Sequence, residues 1–323
     1  MPVTLRPLVL ACFALFAAGE ARAACAVAPS SGMTFAPSSS YDVRAGSVAA
    51  VGAGAGFSCN GSIITLLGGA RAEATVTSSN GFRLRGPGGD LIPYRLSADP
   101  GGAHPFTQGS TINYFNPALL SLLGILDAGR FSPSLYAAPL GGANVAAGTY
   151  TDTLTVRWSW FVCHGAGVGG ICLLGESGTG AATISVTLSV SADCRISAPD
   201  LSFGAAALAS QFAPVTQAVA VDCTKGSAYS VGFTGGQAGA ARPWRAMTDG
   251  RGNTLQYNIY RGDGVTIRDD LAATAGGAVG TGAVGTGAVD PARLHAYVAR
   301  INPDQPTPPP GRYEDGISVV ISF

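Results

Sequence analysis

Hydrophobic and polar residues alternate in the same pattern at two places in the chain, residues 148–160 and 311–323. Each place opens on a Gly-X-Tyr-X-Asp motif and continues with apolar residues at every second position. Because successive side chains of a β-strand point to opposite faces, each run predicts a strand with one apolar face. The recurrence predicts a tandem repeat of one β-rich unit. The apolar residues are Leu154, Val156, Trp158 and Trp160 in the first run and Ile317, Val319, Ile321 and Phe323 in the second.

The two copies of this pattern differ in their C-terminal continuation. The first copy leads through a Gly-rich stretch into another alternating run, residues 184–190, whereas the second copy ends at Phe323. We therefore expect the second unit to lack its final strand and to leave one sheet edge without a partner. The predicted groove beside that edge is lined by Ile317, Val319, Ile321 and Phe323.

Short apolar runs recur along the rest of the chain, separated by Gly, Pro, Asn and Ser at intervals of about ten residues. Helical periodicity is nearly absent. This pattern predicts an all-β protein with two immunoglobulin-like β-sandwich domains, the C-terminal one lacking its final strand. The predicted strands are 62–67, 72–77, 82–85, 93–98, 134–138, 150–162 and 184–190 in the first unit, and 227–234, 254–261, 294–301 and 316–323 in the second.

The first 24 residues have the pattern of a secretory signal peptide. Arg6 precedes an apolar run over residues 8–18, and Ala21-Arg-Ala23 supplies a small-residue cleavage site. The apolar run is too short to span a bilayer. Cleavage after Ala23 or Ala24 would leave Cys25 at, or next to, the mature N-terminus. The predicted organisation is a signal peptide at 1–24, an N-terminal binding domain at 25–193 and a C-terminal domain at 194–323.

The cysteines outside this peptide are six in number, and an even set in an exported chain indicates disulfides. Sequence alone allows fifteen connectivities. The repeat narrows the choice, because two cysteines each open a unit and two others are their matching second cysteines. We therefore expect the pairs Cys25–Cys59 and Cys194–Cys223, which leaves Cys163–Cys172 to close a short loop.

Candidate catalytic, metal and cofactor motifs are weak. No histidine has a second histidine at metal-ligand spacing, and a disulfide competes with any metal site at His164 and its neighbouring cysteines. Residues 165–170 satisfy G-x-G-x-x-G, but no helix opens after them as a dinucleotide site requires. With 12% charged residues and a formal net charge of zero, the chain also lacks a basic field for nucleic acid. We expect no enzyme activity, no cofactor, no metal and no nucleic-acid partner.

The first unit contains two apolar segments outside the predicted strands. One is the Leu-rich segment 116–126, whose position in the second unit is taken by the Gly-rich repeat 273–289. The other begins between Cys163 and Cys172. These side chains either fold over one end of the core as a buried cap or form an exposed contact surface. Divergent loops on a shared scaffold commonly carry function. The surface hypothesis assigns binding to Leu119, Leu120, Leu122, Leu123, Ile125, Leu126, Val168, Ile171, Leu173 and Leu174.

The second unit contains a set of distinctive motifs: Cys194, Leu201-Ser-Phe-Gly204, Val221-Asp-Cys223, Tyr229, Leu255-Gln-Tyr257-Asn-Ile-Tyr260 and Pro310-Gly-Arg-Tyr313-Glu-Asp315. Through these motifs the unit resembles the spore coat protein U domain. The first unit shares fewer of these features, namely Cys25, Cys59, Tyr94 and the motif at 148–152. Residues 267–270 depart from the family, which commonly has a tryptophan and a glycine there.

This domain is the pilin module of archaic, Csu-type chaperone-usher pili, and two modules in one chain resemble the two-domain tip adhesins of those pili. The resemblance implies an exported cell-surface subunit that mediates attachment and biofilm formation and is incorporated by donor-strand complementation of its C-terminal domain. The implied partners are a periplasmic chaperone, an outer-membrane usher, an adjacent pilin subunit and a hydrophobic surface or host ligand. Two alternatives stay open, a structural spore-coat or outer-surface assembly protein and a glycan-binding fimbrial lectin.

Overall fold

The computed structural model of the chain describes residues 24–60, 64–65, 69–123, 130–164, 172, 175–237, 243–268, 278–279 and 294–323. Two β-sandwiches follow one another along these residues, and each has a hydrophobic core of its own. The predicted all-β fold is confirmed. The predicted signal peptide lies outside the described residues except for Ala24, and the Gly-rich segment 273–289 lies outside them except for residues 278–279.

The N-terminal sandwich contains sixteen of the named elements and one short 3-10 turn, Pro87–Gly89. Its strands and helices are β1 Ala24–Val27, β2 Met33–Thr34, β3 Ser38–Ser39, α1 Ser40–Ala45, β4 Val51–Gly54, β5 Phe57–Asn60, β6 Ile64–Thr65, β7 Arg71–Ser78, β8 Arg83–Arg85, β9 Leu91–Ser97, β10 Thr111–Asn113, α2 Pro117–Leu123, β11 Arg130–Phe131, β12 Ser134–Pro139, β13 Gly148–His164 and β14 Gly175–Ser191.

The C-terminal sandwich begins two residues after β14 and includes a 3-10 turn at Ala209–Gln211. Its strands are β15 Cys194–Ser197, β16 Val215–Cys223, β17 Ala228–Phe233, β18 Arg245–Thr248, β19 Thr254–Arg261, β20 Ala278–Val279, β21 Leu294–Ile301 and β22 Val319–Ser322.

The two sandwiches share one arrangement of strands. In the C-terminal sandwich, the first sheet has the order β15-β16-β21-β19-β18, and β20-β17-β22 form the second. The N-terminal sandwich contains the matching order β4-β12-β9-β8, in which these strands correspond to β16, β21, β19 and β18. Its second pair of matching strands is β7 and β13, which correspond to β17 and β22. The repeat that the sequence predicted is therefore present in the topology.

The three predicted disulfides are confirmed. Cys25 bonds to Cys59 across β1 and β5, and Cys194 bonds to Cys223 across β15 and β16. In both pairs the cysteines are direct partners in the strand register, with Cα atoms 4.0 Å apart. The third bond joins Cys163 to Cys172. Each sandwich thus has its first strand tied covalently to the next strand of the same sheet.

Alternation along β13 builds the N-terminal core. Leu154, Val156 and Trp158 point inward and are fully buried. The ring of Trp158 stacks on Phe57 at a centroid distance of 4.7 Å, and its indole N–H donates a 3.0 Å hydrogen bond to the Ala55 carbonyl. A buried indole requires such a partner. The long predicted strand at 150–162 is therefore a core strand, and it extends further at both ends than its alternation indicated.

The predicted secondary-structure elements differ from the structure at several places. The predicted strand 316–323 pairs only over Val319–Ser322, and α1, β16 and β18 were not expected from the sequence. Within the described ranges, the helices are all too short to cross a membrane.

Candidate functional site

In the N-terminal sandwich, β14 covers one side of the core. Strand β13 lies between β7 and β14, and β14 also pairs in parallel with β2, through Val186 opposite Met33. In the antiparallel register of the hairpin, Ile184 faces Leu154 and Leu188 faces Tyr150. All of these side chains are buried. The strand therefore closes the sandwich between β13 and β2.

In the C-terminal sandwich the corresponding place is open. Strand β22 pairs with β17 on one side, through Val231 opposite Ile321, and among the described residues no strand pairs with its other side. Ile317 and Val319 are partly exposed there, whereas their counterparts Leu154 and Val156 in the first sandwich are fully buried. The difference follows from the absence, within those described ranges, of a strand equivalent to β14.

A groove with a volume of ≈ 820 Å³ lies at this open place. Its apolar lining includes Ile317 and Val319 from β22 and the segment that leads into it, and Leu201 and Phe203 from the segment after β15. Core residues of the C-terminal sandwich also line it, namely Phe233, Leu255, Tyr257, Ile259 and Tyr297. Charged residues line it as well, namely Asp200, Arg312, Glu314 and Asp315. An unpaired strand edge beside apolar side chains is what an added β-strand requires.

Two of the four residues predicted for this groove line it, and two do not. Ile317 and Val319 are lining residues. Ile321 packs against the core as a partly buried side chain, and Phe323 is 62% exposed at the chain end. Leu201 and Phe203 were not assigned to the groove from the sequence. Their alignment with Met33 and Phe35, which flank β14 in the first unit, was the signal that could have found them.

Two tyrosines hold the segment that leads into β22. The Tyr257 hydroxyl donates a 2.6 Å hydrogen bond to the Asp315 carboxylate, and the Tyr313 hydroxyl donates to the Pro309 carbonyl at 2.7 Å. Burial, followed by the hydrogen bond to Asp315, raises the pKa of Tyr257 far above its usual range. The phenol therefore stays neutral and remains a donor at physiological pH.

The same two hydrogen bonds occur in the N-terminal sandwich. The Tyr94 hydroxyl donates to the Asp152 carboxylate at 2.6 Å, and the Tyr150 hydroxyl donates to the Ala146 carbonyl at 2.8 Å. The Gly-X-Tyr-X-Asp motif is thus a positioning device that both units use. It fixes the strand that borders the groove whether or not a further strand is present.

The two ends of the N-terminal sandwich lie far apart. Strand β13 starts beside the C-terminal sandwich, where Ala146 bridges to Lys225, and it ends at His164, sixteen residues further along the chain. At about 3.3 Å per residue, His164 lies roughly 50 Å from the start of β13. There β6 pairs with the end of β13, and β11 pairs with β5. Residues flanking 61–68, 124–129 and 165–174 therefore meet in one region, which we call the distal end.

Leu119 and Leu120 must be removed from the candidate binding surface. Their exposed fractions are 0% and 9%, and both belong to the N-terminal core. The α2 helix starts at Pro117, and the side chain of Asn116 accepts a 3.0 Å hydrogen bond from the Ala118 amide as a cap. Its first turn therefore inserts these leucines beneath the end of the sandwich, as the buried-cap alternative stated.

The remaining candidates are not described at the level of side chains. The backbone of Leu122 and Leu123 belongs to α2, and their side chains lie outside the described part of the chain. The others, Ile125, Leu126, Val168, Ile171, Leu173 and Leu174, lie outside the described residues. Their assignment to an exposed surface stays a prediction.

The described part of the chain holds no group of three or more His, Cys, Asp or Glu side chains that could bind a metal ion.

The sequence of the chain matches a known protein family. The sequence profile of the Spore Coat Protein U domain matches residues 11–157 and, a second time, residues 180–320. The chain belongs to this family. Its resemblance to the family, first inferred from single residues, is confirmed over both units. The family comprises structural and adhesive proteins, so the chain is not assigned an enzymatic activity. No curated protein sequence matches the chain.

Solved structures show a related fold. The CsuC-CsuE chaperone-tip adhesion subunit pre-assembly complex from the archaic chaperone-usher Csu pili of Acinetobacter baumannii matches with a TM-score of 0.59 and 20% identity, covering 93% of this chain and 100% of that chain. At this identity the match shows a common fold. The CupB6 tip adhesin from Pseudomonas aeruginosa matches at 10% identity, over 93% of this chain and 94% of that chain, with a TM-score of 0.32. The CooA pilin subunit from enterotoxigenic Escherichia coli matches at 17% identity, over 50% of this chain and 91% of that chain, with a TM-score of 0.27. These last two scores support no further comparison.

Proposed function

We propose that this protein is the tip adhesin subunit of a chaperone-usher pilus. It is exported through the periplasm to the cell surface, where its C-terminal sandwich joins the fibre by donor-strand complementation and its distal end mediates attachment to surfaces and biofilm formation. The observation that carries the proposal is the open groove beside β22, at the place that β14 fills in the first sandwich.

The groove supports the assembly half of the proposal. A β-strand that enters it would pair with the free side of β22 and cover the apolar lining residues Ile317, Val319, Leu201 and Phe203. Each Å² of apolar surface removed from water contributes about 25 cal/mol. Addition of a strand to a sheet edge is an established mode of peptide recognition. We assign the strand to a periplasmic chaperone before export, with an outer-membrane usher handling the exchange, and to an adjacent pilin subunit afterwards.

The distal end supports the adhesion half. The described residues bring the flanks of segments 61–68, 124–129 and 165–174 together at the end farthest from the domain junction. In the sequence, the aliphatic candidates lie within or next to two of these segments, namely Leu122, Leu123, Ile125, Leu126, Val168, Ile171, Leu173 and Leu174. An apolar surface gains free energy from burial with little directional demand, which suits a hydrophobic substratum better than one sugar. We assign the protein to the fibre tip, because a surface at the end of the molecule contacts a substratum only when no subunit lies beyond it.

The experiment compares three aliphatic-to-serine variants in pilus-bearing cells, two at the distal end and one control. The distal set replaces Leu122, Leu123, Ile125 and Leu126. A second distal variant replaces Val168 and Ile171, and the control replaces Leu140 and Val265, which are 46% and 78% exposed elsewhere. Both distal variants should lose attachment to hydrophobic plastic by at least tenfold while pili are counted at normal numbers by electron microscopy, and the control should attach normally. Normal attachment by both distal variants would show that adhesion resides elsewhere, and attachment only to one glycan would favour the lectin alternative.

A further inference from the structure

The two sandwiches meet at a surface that neither the strand-accepting groove nor the distal end includes. Only Ala192 and Asp193 separate the end of β14 from the start of β15. A linker of two residues permits little independent motion, but it does not by itself fix the angle between two domains. The contacts on either side of this linker decide whether the junction bends.

Helix α1 of the N-terminal sandwich contacts the C-terminal sandwich directly. The Tyr41 hydroxyl donates a 2.6 Å hydrogen bond to the Asp222 carbonyl, and the Arg195 guanidinium carbon lies 4.1 Å from the centre of its ring. Tyr41 is 3% exposed, although it lies outside the clustered core of its own sandwich. Tyr41 is therefore buried by its contacts with the C-terminal sandwich. A cation over an aromatic face is attracted to the ring electrostatically, and the attraction strengthens when the pair is desolvated.

A second contact centres on Thr224, which is fully buried. Its hydroxyl lies 2.7 Å from the Ser40 hydroxyl of α1 and accepts a 2.8 Å hydrogen bond from the Asp193 amide of the linker. The Thr224 amide in turn donates to the Asp193 carbonyl at 2.9 Å. One side chain thus connects α1, the linker and the C-terminal sandwich. A third contact joins the Lys225 ammonium to the Asp90 carboxylate at 2.6 Å.

These contacts converge on one disulfide. Asp193 and Arg195 flank Cys194, whereas Asp222 and Thr224 flank Cys223, its bonded partner. The docking surface for α1 therefore consists of two chain segments that the disulfide holds together. Any pull on the distal end passes along β14 and through the linker, and it enters the C-terminal sandwich at the residue that this bond secures.

Helix α1 is itself held firmly in the N-terminal sandwich. Ser39 and Asp42 form a reciprocal capping box at its start, and Gly46 ends it with a left-handed backbone at φ 69°. Val43 on its inner face is fully buried in the N-terminal core. A helix anchored on one side and hydrogen-bonded on the other can transmit orientation between the two sandwiches.

We propose that α1 is a latch that joins the two sandwiches into one rigid body, with Tyr41 and Ser40 docked on the surface that the Cys194–Cys223 disulfide fixes. The latch sets the direction of the distal end relative to the strand-accepting groove. This proposal does not depend on which strand fills the groove or on what the distal end binds.

The test uses the full chain and two variants from opposite sides of the junction, Tyr41→Ala and Thr224→Val. The control is Tyr136→Ala, because Tyr136 is half-buried on β12 and its recorded pairing partners lie within the N-terminal sandwich. Small-angle X-ray scattering reports the relative motion of the sandwiches, and amide hydrogen exchange at Asp193 and Thr224 reports opening of the junction.

Both junction variants should exchange these two amides at least tenfold faster than the parent chain and should scatter as a more extended, broader ensemble. The control should match the parent in both measurements. Exchange within β13 and β14 shows whether the N-terminal sandwich of each variant is folded, and exchange within β19 and β21 shows the same for the C-terminal sandwich. The conservative Thr224→Val keeps the test valid if Tyr41→Ala does not fold. The latch is refuted if folded Thr224→Val leaves both measurements unchanged, or if the parent chain already scatters as a flexible pair of domains.

Discussion

The hydroxyl of Tyr257 lies 2.6 Å from the carboxylate of Asp315, and the same distance separates Tyr94 from Asp152 in the first sandwich. The two carboxylates differ in how many further hydrogen bonds they accept. Asp152 also accepts hydrogen bonds from the hydroxyls of Ser78 and Ser79 and from backbone amides, whereas Asp315 accepts one more, from the Gln237 amide. The equivalent tyrosine therefore carries a larger share of the stabilisation in the C-terminal sandwich.

Replacement of each tyrosine by phenylalanine tests this difference. A hydrogen bond to a charged group contributes about 1.5–3 kcal/mol, and the loss is greater where the carboxylate has fewer remaining partners. We expect Tyr257→Phe to lower the free energy of unfolding by about 3 kcal/mol and Tyr94→Phe to lower it by about 1.5 kcal/mol. Amide hydrogen exchange of β19 and β9 in the full chain measures the two losses separately. Equal losses in the two sandwiches would contradict the argument.

The glycine at position 86 lies against a positioning tyrosine. A Cβ added there would lie 2.2 Å from the ring of Tyr150. Gly86→Ala must therefore displace the ring that fixes the start of β13, and such overpacking costs about 1–3 kcal/mol. Thermal unfolding of the N-terminal sandwich should shift to lower temperature. Gly54→Ala is the matched control, because nothing lies within 4 Å of the added atom, and an equal shift in both variants would exclude the steric explanation.

The repeat made much of this fold predictable. Alternation located β7, β13 and β14, because each has one buried face, and short apolar runs located β19 and β21, which are buried on both faces at their centres. Matching of the two units identified the disulfide pairs. The strand β16 and the helix α1 were missed for physical reasons. Small alanines dilute the alternation of β16, and α1 is too short for helical periodicity, so its capping box and its contacts across the junction define it.

The binding residues were harder to predict than the fold. The Leu-rich segment has apolar residues on all sides, and its sequence does not distinguish a core plug from an exposed surface. Leu119 and Leu120 proved to be core because they lie in the first turn of α2, beside Phe115 and Phe131, whose rings are 4.8 Å apart. Whether these side chains are buried or exposed depends on where the helix packs against the sandwich. The local sequence pattern does not specify that position.

The disulfides should differ in how much they stabilise the chain. In the chain-entropy model, Cys194–Cys223, with a sequence separation of 29, contributes about 3.5 kcal/mol, and Cys163–Cys172, with a separation of 9, contributes about 2.7 kcal/mol. Replacement of both members of the first pair by serine should lower the yield of soluble protein more than replacement of the second pair. Quantitative immunoblotting of periplasmic extracts checks the order, and a larger loss for the short loop would contradict it.

The ion pair at the junction predicts a dependence on acid pH. Burial alone would raise the pKa of the Asp90 carboxyl, but hydrogen bonds from Lys225 and the Ala146 amide hold it below its ordinary value of 3.8. The stabilisation is therefore fully present above that value and is lost as pH falls through the lower pKa of the folded state. Because the Lys225 side chain is 45% exposed, we expect only about 0.2–1 kcal/mol. We expect the free energy of unfolding to fall less between pH 6 and pH 3 in Lys225→Ala than in the parent chain. An equal fall in the two chains would show that the ion pair does not contribute to stability.

The central claim is that the groove beside β22 accepts a β-strand. The chain supplies a suitable probe, because residues 181–191 of β14 fill the equivalent place in the first sandwich. A copy of this segment joined after Phe323 through a flexible linker should enter the groove. The matched control exchanges its apolar and polar positions, which turns the apolar face away from the core.

Amide hydrogen exchange over residues 317–322 tests this claim most directly. We predict that the grafted strand slows exchange of these amides at least a hundredfold relative to the chain without a graft, and that the control graft leaves them unprotected. Equal protection in all three chains would show that the edge of β22 is already closed and that the C-terminal sandwich is complete without a partner.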